Sequence, residues 1–325
     1  MSRLPKTIFC IFIAGFILCT SAWAADKKPV FIFTSVEEGR SLLTARDEFI
    51  ENMSPLDRSI RMRSEKPVSV DEFLKFVGNN VASWEDDDKE RLETVIGSLA
   101  AKLAAYSHFL PAKIYLVRTT GNEEGGVAYT RGNAIIFPRR LPMTDIVMVY
   151  RLISHELFHI ITRQNKAMKS EFYGIIGFSK CPPYTLPGTM GNRRFTNPDA
   201  PLNDYCIRVK AGKKDLVVLP ILYSQVDAYS KSDGEELFDY VRSAFLSIAR
   251  IKSGKPVMLK DNQMTLYQEG ELQGFYEQIG ENTDYTIHPE EILADNFSYL
   301  FLGVTEMESP RIVEKMKKIF EQKRQ

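Results

Sequence analysis

The stretch Arg151–Ile160, which reads RLISHELFHI, limits what this chain can fold into more than any other. It sets His155 and His159 four residues apart inside an apolar repeat of Ile146, Val147, Tyr150, Ile153, Leu157, Ile160 and Ile161. Steps of three and four residues predict a buried α-helix. Residues four apart on a helix stand one turn above each other, so both imidazoles can aim at a single point. Two imidazoles among apolar side chains are costly to bury unless their nitrogens find partners. A metal ion is such a partner, and two of the chain's four histidines are placed to share one. Glu156 leaves the backbone directly after His155, on the side where a water activated by that ion would lie. The helix is expected to start at Thr144-Asp145, after Pro142, and to fray near Asn165.

Lys plus Arg and Asp plus Glu both number 42, so no global field draws the chain to nucleic acid or to an anionic membrane. Arg3 and Lys6, the apolar run from Ile8 to Leu18 and the small-x-small triplet Ala22-Trp23-Ala24 read as a signal peptide over residues 1–24. The run is shorter than the roughly 20 residues a membrane span needs, and no later stretch is longer. A protein exported to a periplasm or secreted is therefore expected, with no membrane span in the mature chain. Removal of the leader takes Cys10 and Cys19 and leaves Cys181 and Cys206. In an oxidising compartment these two are expected to form a disulfide, worth ~2–4 kcal/mol. A thiolate capping the metal is the alternative, and a paired cysteine is not available for that role.

From Val30 to Phe109 the pattern is mostly helical, which predicts a helical N-terminal region over residues 25–110, joined to a domain over 111–325. Ser35 with Glu38, and Ser69 with Glu72, have capping-box spacing. Glu85 to Asp88 open a further helix, where acid suits the positive end. After Pro111 the period changes. Lys113–Arg118, Gly125–Thr130 and Ala134–Phe137 read as strands, with Arg131-Gly132-Asn133 as a turn. Such strands can offer an edge to an extended peptide, or simply complete a small sheet. Lys180 to Tyr205, rich in Pro, Gly, Asn and Asp, is a long loop that the two cysteines bracket and are expected to clamp. Strands follow at Cys206–Lys210 and Leu216–Leu222, while Glu235–Ile251 suits a helix or a strand.

A catalytic zinc takes three protein ligands and keeps a position for water. Thr162 and Asn165 stand where a metzincin has its glycine and third histidine, which excludes that class. Further on, His288-Pro289-Glu290-Glu291 precede an apolar stripe of Ile292, Leu293, Phe297, Leu300 and Phe301. Pro and two acids suit a first helical turn, and Glu291 and Asp295 share a face. His155-Glu156-x-x-His159 followed by Glu291-x-x-x-Asp295 resembles the gluzincin metallopeptidases, the thermolysin-like branch of the zincins. The segment Glu291–Asp295 is also similar to the downstream signature of M48-type peptidases.

This resemblance implies an α+β, zincin-like fold with a small mixed sheet, the His-Glu-x-x-His helix and a second, glutamate-bearing helix. It implies Zn²⁺ held by His155, His159 and Glu291, with Glu156 as general base and Asp295 hydrogen-bonded to a ligand histidine, His155. Glu290 competes for the ligand role. A second donor to the oxyanion is usual in such sites; His288 is the expected one, with Tyr285, Tyr299, Tyr223 and Tyr229 as alternatives. The function implied is an exported zinc metallopeptidase acting on a peptide or protein. The alternative is a zinc-stabilised, weakly catalytic binding or assembly protein of the cell envelope, and Glu156 separates the two, since a structural site has no use for a base.

Overall fold

The computed structural model describes residues 28–324. The expected signal peptide, with Cys10 and Cys19, lies outside the described residues. None of the described helices is long and apolar enough to cross a membrane.

The chain enters through β1 (Val30–Phe33), then runs through α1 (Val36–Leu43), α2 (Glu48–Asn52), α3 (Pro55–Arg61) and α4 (Val70–Asn79). The strand β2 (Val81–Ala82) precedes α5 (Asp86–Ser98) and α6 (Ala100–Tyr106). Both expected capping boxes form, Ser35 with Glu38 and Ser69 with Glu72. Two strands were not legible as such, β1 and β2, because each is short and is defined by its partner. That partner is β3 (Lys113–Thr119), parallel to β1 and antiparallel to β2. With β4 (Tyr129–Arg131) and β5 (Ala134–Pro138) they form a mixed sheet of order β1-β3-β5-β4, β2 pairing with β3. The N-terminal region is thus built into the sheet that follows it.

The alternation of side chains along a strand decides what covers each face. Val117, Ala134 and Ile136 point toward Leu43, Phe49, Ile50, Phe73 and Val77 of the N-terminal helices. Ile114, Leu116, Ile135 and Phe137 point the other way, into the main core with Val149, Ile153 and Leu157 of α7 (Ile146–Gln164). Asp145 caps α7, its side chain accepting from Met148 N at 3.0 Å, and Asn165 closes it. The predicted helix therefore forms with its expected ends.

The remainder is a second, antiparallel sheet with helices around it. After α8 (Lys166–Ile175) come β6 (Phe178–Lys180), the short α9 (Gly188–Asn192), β7 (Arg194–Phe195), β8 (Tyr205–Ala211) and β9 (Lys214–Tyr223). The ambiguous segment resolves into a short helix α10 (Leu237–Tyr240) and the long β10 (Arg242–Lys252), followed by β11 (Lys255–Met258) and β12 (Leu266–Tyr267). Strand wins because β10 gains a full ladder against β9, with Phe245 opposite Pro220 and Leu246 opposite Leu219. The helices α11 (Tyr276–Ile279), α12 (Pro289–Leu302) and α13 (Pro310–Lys323) finish the chain. Gly303 ends α12 in the left-handed region, at φ 80°, where a side chain would be strained. Ile292, Leu293, Phe297 and Phe301 of α12 are fully buried in the core that also receives α7, so packing alone brings the two predicted site helices together.

The two cysteines are brought into side-chain contact but are free thiols, not the expected disulfide. They are diagonal neighbours: Cys206 lies opposite Ser179 across β6 and β8, and the Cys181 N–H extends the ladder to Asp204 O at 2.9 Å. The clamp on the loop is therefore a backbone ladder, and the loop is not idle.

Candidate metal centre

The ligand-type atoms of His155, His159 and Glu291 converge within 4.8 Å of one another. Glu291 Oε2 lies 3.1 Å from His155 Nε2 and 3.5 Å from His159 Nε2. The residues that the resemblance named as ligands, 136 positions apart in the case of His155 and Glu291, thus meet at one point. An observation independent of the motif tests whether they fit a cation. His159 Nε2 is buried and has no hydrogen-bond partner. An imidazole nitrogen left so would cost about 1–3 kcal/mol, and a metal in its path removes that penalty.

Each histidine is oriented through its other nitrogen. His155 Nδ1 lies 2.9 Å from Asp295 Oδ1, as the resemblance implied, and Thr283 donates to the other Asp295 oxygen. His159 Nδ1 lies 3.2 Å from Glu290 Oε1. Glu290 is therefore no competing ligand but a partner of His159. Its fully buried carboxylate also accepts from the hydroxyls of Thr162 and Tyr173 and faces Lys169 Nζ at 3.1 Å. Holding Nδ1–H with a carboxylate fixes the tautomer and leaves Nε2 free to coordinate.

The electrostatics fit a cation site. Burial works against a charged His155, but its hydrogen bonds to Asp295 and Glu291 prevail and lift it to about 10. Burial likewise opposes ionisation of Glu291 and Glu290. The charge of His159 and the hydrogen bonds to the histidines hold Glu291 well below the usual range, and Lys169 with the hydrogen bonds from His159 and Thr162 does so for Glu290. In the metal-free fold burial, followed by the charge of Asp199, pushes Glu156 up to about 8.

Glu156 lies beside the centre with one oxygen, Oε2, buried and unpartnered. It forms a second cluster with His159 and Asp199, whose ligand-type atoms also lie within 4.8 Å of one another. Asp199, and Asn197 whose Nδ2 donates to Glu291 Oε1 at 2.7 Å, were missed by the sequence reading. They sit in the long loop between the cysteines, where no periodicity marks them. That loop supplies part of the site instead of merely being clamped.

His155, Glu156, Asn197, Asp199, Glu291 and Asp295 line a cleft of about 770 Å³, with the buried His159 and Glu290 outside its lining. One wall is the approach to the edge strand β4, Gly126 to Tyr129, and the facing wall is Phe195 to Asp199. Asp199 Oδ1 accepts from Thr130 N at 2.8 Å, so this outward N–H of the edge is already taken. His288 is not part of the cleft. It caps α12, its Nδ1 accepting from Glu290 N at 3.1 Å, and burial followed by the charge of Lys169 lowers it to about 4. The expected oxyanion role of His288 is thus geometrically displaced, since capping spends one nitrogen and the other is buried away from the cleft. Of the alternatives, Tyr285 lines the cleft, whereas Tyr223, Tyr229 and Tyr299 do not.

At one end of the cleft the buried Arg61 joins both walls. It donates from Nε to Asp57 Oδ1 at 2.6 Å, to Glu124 and, through Nη2, to Thr196 O at 3.1 Å. Burial, only partly offset by Arg61, raises Glu124 to about 7. An acid whose folded value exceeds its unfolded one is bound to more protons when folded, so this contribution to stability is lost as pH rises from about 4.5 through about 7. Glu124→Gln is expected to flatten that part of the pH dependence of urea unfolding, and an unchanged slope would show that other groups set it.

No family model matches this chain, and neither a curated protein nor a solved structure does.

Proposed function

We propose that this chain is an exported, zinc-dependent metallopeptidase with a zincin-like fold. One observation carries the reading: two imidazoles and one carboxylate, none adjacent to the third in sequence, converge beside an unpartnered carboxylate at the floor of an open cleft. Nitrogen and oxygen donors in this combination suit Zn²⁺. His155 Nε2, His159 Nε2 and Glu291 Oε2 would hold it. When bound, zinc supplies Lewis acidity, which acidifies a water and offsets the charge that grows on a carbonyl oxygen.

The chain's own residues do the rest. Asp295 and Glu290 keep the imidazoles turned so that both Nε2 atoms face the centre. Glu156 takes the proton of the attacking water at its unpartnered oxygen and returns it to the leaving amine. An extended peptide can lie along the Gly126–Tyr129 wall with its carbonyl over the floor, short of Thr130, whose outward N–H Asp199 already holds. Of the four candidate tyrosines Tyr285 alone lines the cleft, and its hydroxyl would donate to the oxyanion. The open floor and the free oxygen of Glu156 favour a catalytic site over a purely structural one, which would bury its ion among four ligands. Export rests on the leader-like pattern of residues 3–24.

The test is metal content and activity together. Elemental analysis of the purified protein is expected to give about one zinc per chain. Stripping with a chelator should abolish cleavage of a mixed peptide library, and stoichiometric Zn²⁺ should restore it. Protein that neither carries zinc nor takes it up would remove the proposal. Protein that binds zinc tightly yet cleaves nothing in the library would favour the assembly-protein alternative.

A further inference from the structure

We propose that Asn197 is a positioning residue of the metal centre, and that the segment Thr196–Asp199 is a third arm of that centre beside α7 and α12. The inference rests on the metal reading above and concerns a residue outside the motif that suggested it.

The two oxygens of Glu291 have different surroundings. Oε2 faces both imidazoles, at 3.1 and 3.5 Å, whereas Oε1 accepts from Asn197 Nδ2 at 2.7 Å. A carboxylate with one oxygen held by a donor presents the other alone, so Asn197 selects one-oxygen coordination and fixes which oxygen it is. Without that donor the carboxylate is free to rotate about its terminal torsion, which has a broad energy well. The amide is itself oriented. Asn197 Oδ1 accepts from Asp199 N at 2.9 Å, which turns the NH₂ group toward Glu291.

The segment is tied down on both sides. Thr196 N donates to Asp57 Oδ2 at 2.9 Å, and Thr196 O accepts from Arg61. Asp199 Oδ1 accepts from Thr130 N at 2.8 Å and from Thr130 Oγ1 at 2.5 Å. These anchors belong to the N-terminal helix α3 and to the edge strand β4. α3 and β4 therefore fix where Asn197 stands, and Asn197 fixes Glu291. Position along the chain gives no hint of this, since Asn197 and Glu291 are 94 residues apart.

Zinc dissociation constants measured by chelator competition on stripped protein test the proposal, alongside thermal unfolding of the same metal-free samples. Asn197→Ala is expected to weaken zinc binding about 10–100-fold, the range for partners of metal ligands, with metal-free unfolding nearly unchanged. Pro198→Ala alters the same segment without touching the amide and is expected to leave the constant within about twofold. In a Glu291→Ala background Asn197→Ala should have no further effect, because the carboxylate it acts through is gone. Equal affinities for Asn197→Ala and the unaltered protein would overturn the positioning role while leaving the metal centre intact. An equal loss in the Glu291→Ala background would also overturn it, by showing a general loosening. Failure of the unaltered protein to bind zinc would overturn the metal reading, and this inference with it.

Discussion

Glu156→Gln is expected to keep about one zinc per chain and to lose peptide hydrolysis by a factor of about 10²–10⁴, with kcat falling and KM nearly constant. Glutamine keeps the volume and an acceptor oxygen but has no basicity, so the change removes the proton transfer and little else. The ion's three ligands are untouched, since the convergence point is made by His155, His159 and Glu291. Stability should not fall either. Glu156 is 3 % exposed and its Oε2 has no partner, so the carboxylate is a cost in the metal-free fold, worsened by the neighbouring charge of Asp199. Glutamine removes the charge from that cost. If zinc content and rate both stay unchanged, the proton acceptor is another group, and Asp199, within the same cluster, is the one to replace next. If zinc is lost, Glu156 is a ligand and the centre is not the open one described above.

The parts of this molecule that were legible from sequence are those written in local periods. His155 and His159 could be paired because a helix puts i and i+4 on one face, and α7 forms with Asp145 and Asn165 at its ends as the apolar spacing required. Glu291 and Asp295 were legible for the same reason. The strands β8 and β9 were also found, β8 from the alternation over residues 207–210 and β9 from its continuous apolar run over 216–222. What escaped is written in contacts between distant segments. Asn197 and Asp199 lie in a loop without period, and their importance comes from Glu291 and Thr130, which lie at long range. Glu290 was weighed as a ligand because it neighbours Glu291. On a helix, consecutive residues point about 100° apart, and that rotation carries Glu290 toward Thr162, Lys169 and Tyr173 instead. Arg61 escaped for a different reason: it looks like an ordinary surface arginine until Asp57, Glu124 and Thr196 close around it.

The neighbouring glutamates should separate by the quantity each one moves. Glu291→Ala removes a ligand and is expected to weaken zinc binding by far more than the 10–100-fold typical of a ligand's partner. Glu290→Ala removes no ligand, so its loss of zinc affinity should stay within that range, arising from an imidazole at His159 no longer held in one tautomer. Its effect on the metal-free fold should be the larger of the two, about 3–5 kcal/mol in urea unfolding, as for breaking a buried ion pair. The carboxylate is fully buried, and without it the Tyr173 and Thr162 hydroxyls and His159 Nδ1 lose their acceptor inside the core. Lys169 loses less, because its side chain is 22 % exposed and can turn to water. Urea unfolding of stripped protein and a chelator-buffered zinc titration read these two quantities independently. If Glu290→Ala abolished zinc binding while the stripped fold kept its stability, the two glutamates would have to exchange roles, with Glu290 on the ion and Glu291 orienting His155. The 3.1 Å between Glu291 Oε2 and His155 Nε2, against the Nδ1 contact of Glu290, argues for the assignment as given: a ligand approaches the nitrogen that faces the centre, and an orienting carboxylate approaches the one that faces away.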